Sequence, residues 1–322
     1  MHPSIESINA TAARLQRFVV RTPTLPYYGL QSASLFGDTE VWLKMELLQR
    51  TGSFKARGAI NSVLQLTDEQ RANGITAFSA GNHAIATAYA AKANNISAKV
   101  VMPKTANPFR VSCCENLGAD IVFGDTIAEL IDIVGNLQQH EDRTLIHPFE
   151  GEHTFDGTAT IGLELTHDIA NLDAVIVPIG GGGLISGIAA AVKQLQPGCA
   201  VYGVEPQGAQ GMTQSLAAGC PVDTVNVSTI ADSLGAPMHM PKSFALVQQY
   251  VDDIVRVTDA QLSEVMRLMF TDLKLAVEPA CAAAMTALLH PLKETLAGRR
   301  VALILCGSNI DQNTFSHYTT QV

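Results

Sequence analysis

"DAVIVPIGGGGLISGIAAAV", residues 173–192, joins three kinds of sequence without a gap. Residues 174–178 are apolar without alternation, as a strand covered on both faces requires. Four glycines, Gly180, Gly181, Gly182 and Gly183, make a turn, and an alanine-rich helical stretch follows. A doubly covered strand that runs straight into a helix is the repeating unit of a parallel sheet, because parallel neighbours need a crossover to bring the chain back to the same edge.

The pattern recurs along the chain. "VWLK" from 41, "ITAFS" from 75, "AKVVMP" from 98, "DIVFGD" from 120, "VYGVEP" from 201 and "VALILCG" from 301 alternate with helical stretches. We therefore expect an α/β fold in two domains with mainly parallel open sheets. One block covers residues 74–145, and Pro148 and Gly151 mark the return crossing. No low-complexity linker or fixed-period repeat interrupts the chain.

With 322 residues, 47% of them hydrophobic, the chain can bury a large core. The net charge of -9 comes from 30 acidic and 21 basic residues without a block of like charge, which argues against a nucleic-acid or anionic-membrane surface. "MHPSIESINATAARLQRFVV" reads as the first helix of a mature protein rather than a signal peptide, and no segment has the length of a membrane span. The six cysteines, at 113, 114, 199, 220, 281 and 306, form no CxxC pair and read as reduced thiols. A cytoplasmic location is the expectation.

A second stretch, "LLQRTGSFKARGAI" at 47–60, carries a lysine in an unusual place. Ser53 reads as a helix N-cap, and Ala56, Ala59, Ile60, Val63 and Leu64 follow at the spacing of one helix face. Lys55 then falls in the first turn, where the macrodipole disfavours an ammonium and lowers the pKa of the amine. Two further turns resemble the glycine turn. In "FSAGNHAIATAYAAK" a strand ends at Ser79, Gly81 frees the backbone and Asn82 can cap a helix. In "LILCGSNID" a strand ends at Cys306. All three turns fall at the carboxyl ends of strands, where open α/β sheets bind ligands.

Four glycines opening a helix present backbone N–H groups to one point, a cradle for an anion. The alternative is a tight turn with close helix packing. The fingerprint GxGxxG fails at Ser186, and GxxxxGK[ST] is absent, so the phosphate is not expected to be a nucleotide's. A phosphate cradle together with an amine held unprotonated suggests pyridoxal phosphate.

In this order, "LLQRTGSFKARGA", "SAGNHA", "VMP", "GGGGL", "VEP" and "CGSNID" resemble the fold-type II pyridoxal-phosphate enzymes, which share the tryptophan synthase β-like fold, and within them the serine/threonine dehydratase and serine racemase group. The similarity runs from "RTPTLP" at 21 to "CGSNID" at 306. It implies a large cofactor-binding domain of residues 1–73 and 146–322 and a small substrate-side domain of residues 74–145. It implies that Lys55 holds pyridoxal 5'-phosphate as a Schiff base and carries the proton at the substrate Cα, with Phe54 beside the cofactor. By the same resemblance Asn82 meets the cofactor's 3′-oxygen, Gly180 to Gly183 hold the phosphate, Cys306 faces the pyridine nitrogen and Glu278 lies nearby. Ser79, Ala80, Gly81, Asn82 and His83 form the loop that receives the substrate carboxylate, with no acid or base role for His83.

The implied reaction is dehydration and deamination of a 3-hydroxy amino acid such as L-threonine or L-serine. An amino-acid racemase with side dehydratase activity is the runner-up. It is disfavoured because the racemases of this group carry a hydroxyl base where this chain has Ala80. A ligand-binding protein on an enzyme-like fold is the reading from another class. No metal is expected, because Glu205 has no further carboxylate before Asp223. "IADSLGAP", with Asp232, Ser233 and Leu234, and "FDGTATIGLE", with Thr158 and Ala159, read as loops that approach the substrate side chain and leave its identity open. The chain ends thirteen residues after Asn309, so no regulatory C-terminal domain is expected. The family implies a homodimer.

Overall fold

Residues 3–320 are described by the computed structural model. Met1 and His2, where the reading of the first helix begins, lie outside them. From Ser4 onward the expectation holds: Ser4 caps a helix, Ile5–Leu15, in a capping box with Ser7.

Among the described residues, ten strands form two open sheets. In chain order they are β1 (Thr24–Pro26), β2 (Glu40–Lys44), β3 (Ile75–Phe78), β4 (Ala98–Pro103), β5 (Asp120–Gly124), β6 (Thr144–Leu145), β7 (Ala174–Pro178), β8 (Ala200–Pro206), β9 (Asp253–Val257) and β10 (Arg300–Ile304). The larger sheet runs β1-β2-β10-β7-β8-β9 and the smaller β5-β4-β3-β6. Only the β1–β2 pair is antiparallel. All five residues of β7 are buried, as its unbroken apolar run requires.

All seven stretches read as strands are strands. Ser79 lies one residue beyond β3, and Cys306 two residues beyond β10. The three strands not read are short or polar. β1 has three residues and ends in proline, β6 has two, and β9 is an edge strand whose "DIVRV" mixes charge with apolar side chains.

"FDGTATIGLE" is not a loop: it lies inside a long helix, Glu152–Asp168. Small residues let this helix touch two others closely. A Cβ on Gly157 would stand 2.7 Å from the Arg57 carbonyl oxygen of the Lys55 helix (Lys55–Leu64). One on Gly187, in the helix Gly183–Leu195, would meet Thr158 Oγ1 at 2.2 Å. The helices that carry Lys55 and the tetraglycine turn are thus packed on one common support. Ala159 packs with Ile8, Leu163 and Ala191 away from the turns, so the expectation that it approaches the substrate is not met. No helix among the described residues is long and apolar enough to cross a membrane.

Candidate active site

Lys55 is the first residue of its helix, as the sequence predicts, but Ser53 does not cap it. The N-cap is Phe54, in helical geometry and without a side-chain bond. Ser53 instead pairs its backbone with Gly307, and its hydroxyl is buried with no protein partner, as is that of Thr51. The Lys55 Nζ lies 5.1 Å from the centre of the Phe54 ring and donates to the Pro148 carbonyl at 2.5 Å. Burial lowers its pKa to about 8, against the pull of Cys306 and Glu278. Desolvation is therefore the main cause of the shift, where the sequence pointed to the helix dipole.

Lys55 and Phe54 line one cavity with His83, Thr154, Thr158 and Gly183, and His147 and Pro148 also face it. The amine and the glycine turn thus share a space. Gly182 adopts a left-handed φ of 93° and Gly183 opens the helix, whose first N–H groups have no acceptor within it. Close packing also operates here. A Cβ on Gly181 would enter the Phe149 ring at 2.2 Å, and one on Gly183 would meet the Phe149 backbone at 2.5 Å. A Cβ on Gly180 would lie 3.2 Å from both Leu234 Cα and the Ser233 carbonyl oxygen. Thr158 Oγ1 donates to the Gly183 carbonyl at 2.8 Å and so pins the turn to the long helix.

Both histidines of the cavity are neutral. His83 Nε2 donates to the Ile146 carbonyl at 2.7 Å, and burial, with Lys55 nearby, lowers its pKa to about 3. Burial brings His147 down to about 4, and its Nδ1 accepts from the Glu150 N–H at 2.9 Å. Its ring meets Phe149 edge to face at 4.7 Å.

Asn82 does not cap its helix, Asn82–Ala93; Gly81 holds that position. Its amide works across the site instead. Oδ1 accepts from Asn309 Nδ2 at 2.6 Å, and Nδ2 donates to Glu278 Oε1 at 2.7 Å. Nδ2 also reaches Ser233 Oγ at the longer distance of 3.4 Å. Burial pushes Glu278 up to about 7, with Arg110 opposing the rise and Asp232 adding to it. Ser79 Oγ accepts from the Gly81 N–H at 3.1 Å, and Ala80 lies between them, half-buried. The buried Cys306 thiol is held well above its usual pKa, first by a hydrogen bond with Cys281 and then by burial.

Arg110 and Asn309 were assigned no role from the sequence. Arg110 sits in the helix Pro108–Asn116, with its guanidinium on Asp232, and no local pattern marks it. Asn309 lay within a quoted motif, and its pairing with Asn82 becomes visible only once the two sheets are side by side.

The Lys55 helix is anchored from below by buried charge. Arg57 grips Glu46 through two bonds, at 2.8 and 2.9 Å, and Glu164 through two more, at 2.7 and 2.9 Å. Lys44 Nζ adds a bond to Glu164 at 2.6 Å and another to the Thr22 carbonyl at 2.8 Å. Elsewhere, Glu205 accepts from the N–H groups of Met212 and Thr213 at the start of the helix Gly211–Ala218, at 2.8 and 3.0 Å. Its carboxylate is thus engaged by a helix N-terminus. No cluster of three or more metal-ligating side chains exists among the described residues.

Comparison with known proteins agrees with this geometry. The chain matches the family model for pyridoxal-phosphate dependent enzymes over residues 15–307. It is 47% identical to phenylserine dehydratase of Ralstonia pickettii, covering 98% of this chain and 96% of that protein. It is 36% identical to L-threonine ammonia-lyase of Thermotoga maritima, covering 96% and 76%. Among solved structures, maize serine racemase superposes with a TM-score of 0.92 at 34% identity, covering 98% and 97% of the two chains. The chain belongs to the fold-type II family of pyridoxal-phosphate dependent enzymes, and its cofactor is pyridoxal 5'-phosphate.

Proposed function

We propose that this enzyme dehydrates a 3-hydroxy amino acid such as L-threonine or L-serine, and that the substrate's side chain is uncharged. The enamine released regains the lost water by hydrolysis and yields a 2-oxo acid and ammonia. One observation carries the reading: the Lys55 amine, with a pKa near 8, lines the same small cavity as Gly183, where the glycine turn opens its helix.

The residues present suit the cofactor. A neutral amine is what its aldehyde requires, unsatisfied N–H groups at a helix start are what its phosphate requires, and the orphaned hydroxyls of Thr51 and Ser53 lie in the segment that leads to Lys55. When bound, pyridoxal phosphate supplies the electron sink that lets a Cα proton and then a β-hydroxyl depart. Lys55 is the base that takes the Cα proton. Asn82 has two of its bonds fixed by Glu278 and Asn309, which leaves the N–H directed weakly at Ser233 to hold the cofactor's 3′-oxygen. The N–H groups from Ser79 to His83 receive the carboxylate, at the start of the Asn82 helix. Cys306, a neutral thiol, would be the partner of the pyridine nitrogen.

The wall argues for an uncharged side chain. Its histidines are neutral, and Arg110, the buried cation nearby, is already engaged by Asp232. The similarity to a phenylserine dehydratase points the same way. Ala80 provides no base on the opposite face of the substrate, which favours elimination over racemisation.

The test measures 2-oxo acid and ammonia release from threonine, serine, phenylserine and 3-hydroxyaspartate. We expect turnover of one or more of the first three, none of 3-hydroxyaspartate, and complete loss in Lys55→Ala. Full activity in that variant, or racemisation outrunning ammonia release, would overturn the reading.

A further inference from the structure

Arg110 is buried and belongs to the helix side of the smaller sheet, yet its polar partners come from beyond residue 230. Its guanidinium forms a two-pronged pair with Asp232, and Nε donates to the Asn309 carbonyl at 3.2 Å. Nη2 stands 3.8 Å from Glu278 Oε2. The Asp232 side chain is 56% exposed, whereas Glu278 is buried against Gly307, where a Cβ would lie 2.5 Å from Oε1. Beside it, Asn107 Nδ2 donates to Asp311 at 2.8 Å, so this helix start is tied twice to the segment after β10.

Glu278 has no room for a solvating shell and depends on the groups around it. The charged and titratable ones are Arg110 from the helix Pro108–Asn116, Asp232 from the turn Asp232–Leu234, Lys55, and Cys306 after β10. Asn82 and Ser233 add hydrogen bonds. As an ion, Glu278 accepts a charge-assisted bond from Asn82; as a neutral acid it accepts a weaker one and presents a proton of its own. Arg110 is the one permanent cation among these neighbours.

We propose that Arg110 is a positioning residue for the reaction: its charge holds Glu278 as an acceptor while its grip on Asp232 and Asn309 closes the site, and together these fix the amide of Asn82 toward the cofactor. The inference rests on the reading of Lys55 and Asn82 given above. It accounts for a buried arginine that the sites for phosphate, amine and substrate carboxylate do not use. It also separates two roles in one side chain, with the Glu278 contact setting chemistry and the Asp232 contact setting closure.

The test uses holoenzyme carrying Arg110→Gln, Glu278→Gln or Asp232→Asn. It records the visible absorption band of the bound cofactor at fixed pH, the Kd for pyridoxal phosphate, and kcat and KM separately. Arg110→Gln is expected to lower kcat by about ten- to a hundredfold, with KM changing by less than about threefold, and to shift the band, as loss of a buried charge-assisted contact requires. Glu278→Gln removes the same charge pair from the other side and is expected to shift the band alike. Asp232→Asn leaves the Glu278 contact in place and weakens closure alone, so it is expected to lower kcat less than Arg110→Gln does and to leave the band unshifted. A wild-type band in Glu278→Gln overturns the inference even if Arg110→Gln does not fold. So does an Asp232→Asn enzyme indistinguishable from Arg110→Gln, since closure alone would then explain everything. Failure of the underlying reading looks different: wild-type protein would show no visible band with pyridoxal phosphate, or Lys55→Ala would turn over.

Discussion

Two clusters of buried charge serve this site, one beneath the Lys55 helix and one beside Asn82, and the buried glutamate of each shifts the opposite way, Glu46 down and Glu278 up. Beneath the helix, Arg57 and Lys44 face Glu46 and Glu164, and Arg21 pairs with Asp168 at the edge, so that cations match carboxylates one for one. Burial alone would raise Glu46, yet Arg57 and Lys44 outweigh it and hold that carboxyl below its usual range. Beside Asn82, one cation, Arg110, serves both Asp232 and Glu278, and Glu278 rises to about 7. Both glutamates are buried and both touch an arginine. What separates them is the ratio of cations to carboxylates, and with it the choice between a rigid anchor and a group poised to change state.

The largest effect that tests this contrast is expected from Arg57→Met, which strands Glu46 and Glu164 without a bidentate partner. A loss of about 3–5 kcal/mol in urea unfolding follows from removing one member of a buried ion network. A loss below about 1 kcal/mol would show that the lower cluster is no anchor. Next comes the pH dependence of apoprotein stability. Glu278 binds its proton more tightly when folded, so this group contributes a stability that declines as pH rises from 4.5 to about 7. Glu278→Gln has no such titration, and its stability relative to wild type should therefore improve across that window and level off above it. Glu46 has the opposite sign: its contribution is present above 4.5 and is lost as the pH falls through its lowered folded pKa. A pH-independent difference for Glu278→Gln would contradict the contrast. The smallest effect is expected from Ala80→Ser, which places a hydroxyl in the carboxylate loop. Recovered substrate should show slow loss of the Cα stereocentre, slower than ammonia release, by chiral chromatography.

Much of this was legible in the sequence because it is local. A strand buried on both faces must be apolar throughout, so β7 and β10 announce themselves, and four adjacent glycines have few uses other than a close turn. Lys55 stood out because a cation at a helix start runs against the dipole. Two of the errors share one cause. Ser53 and Asn82 look like caps, and in isolated helices they would be, but Ser53 is drawn into a bridge with Gly307, while the Asn82 amide is drawn to Glu278 and Asn309. Tertiary partners far away in sequence outcompeted the local bond. Arg110 was illegible for the same reason, since its meaning depends on residues 232, 278 and 309, which nothing in its own helix encodes.

The placement of β2 beside β10 has a consequence for the growing chain. Val41 pairs with Val301 and Leu43 with Leu303, so the middle of the larger sheet cannot close until the chain has been synthesised past residue 304. The smaller sheet draws all its strands from between residues 75 and 145 and can order early, while the ribosome is still at work. Cys306 and Asn309 follow β10 directly. The pocket therefore assembles only after β10 has been made, and a chain that stops short of β10 lacks the turn that brings Cys306 and Asn309 to it.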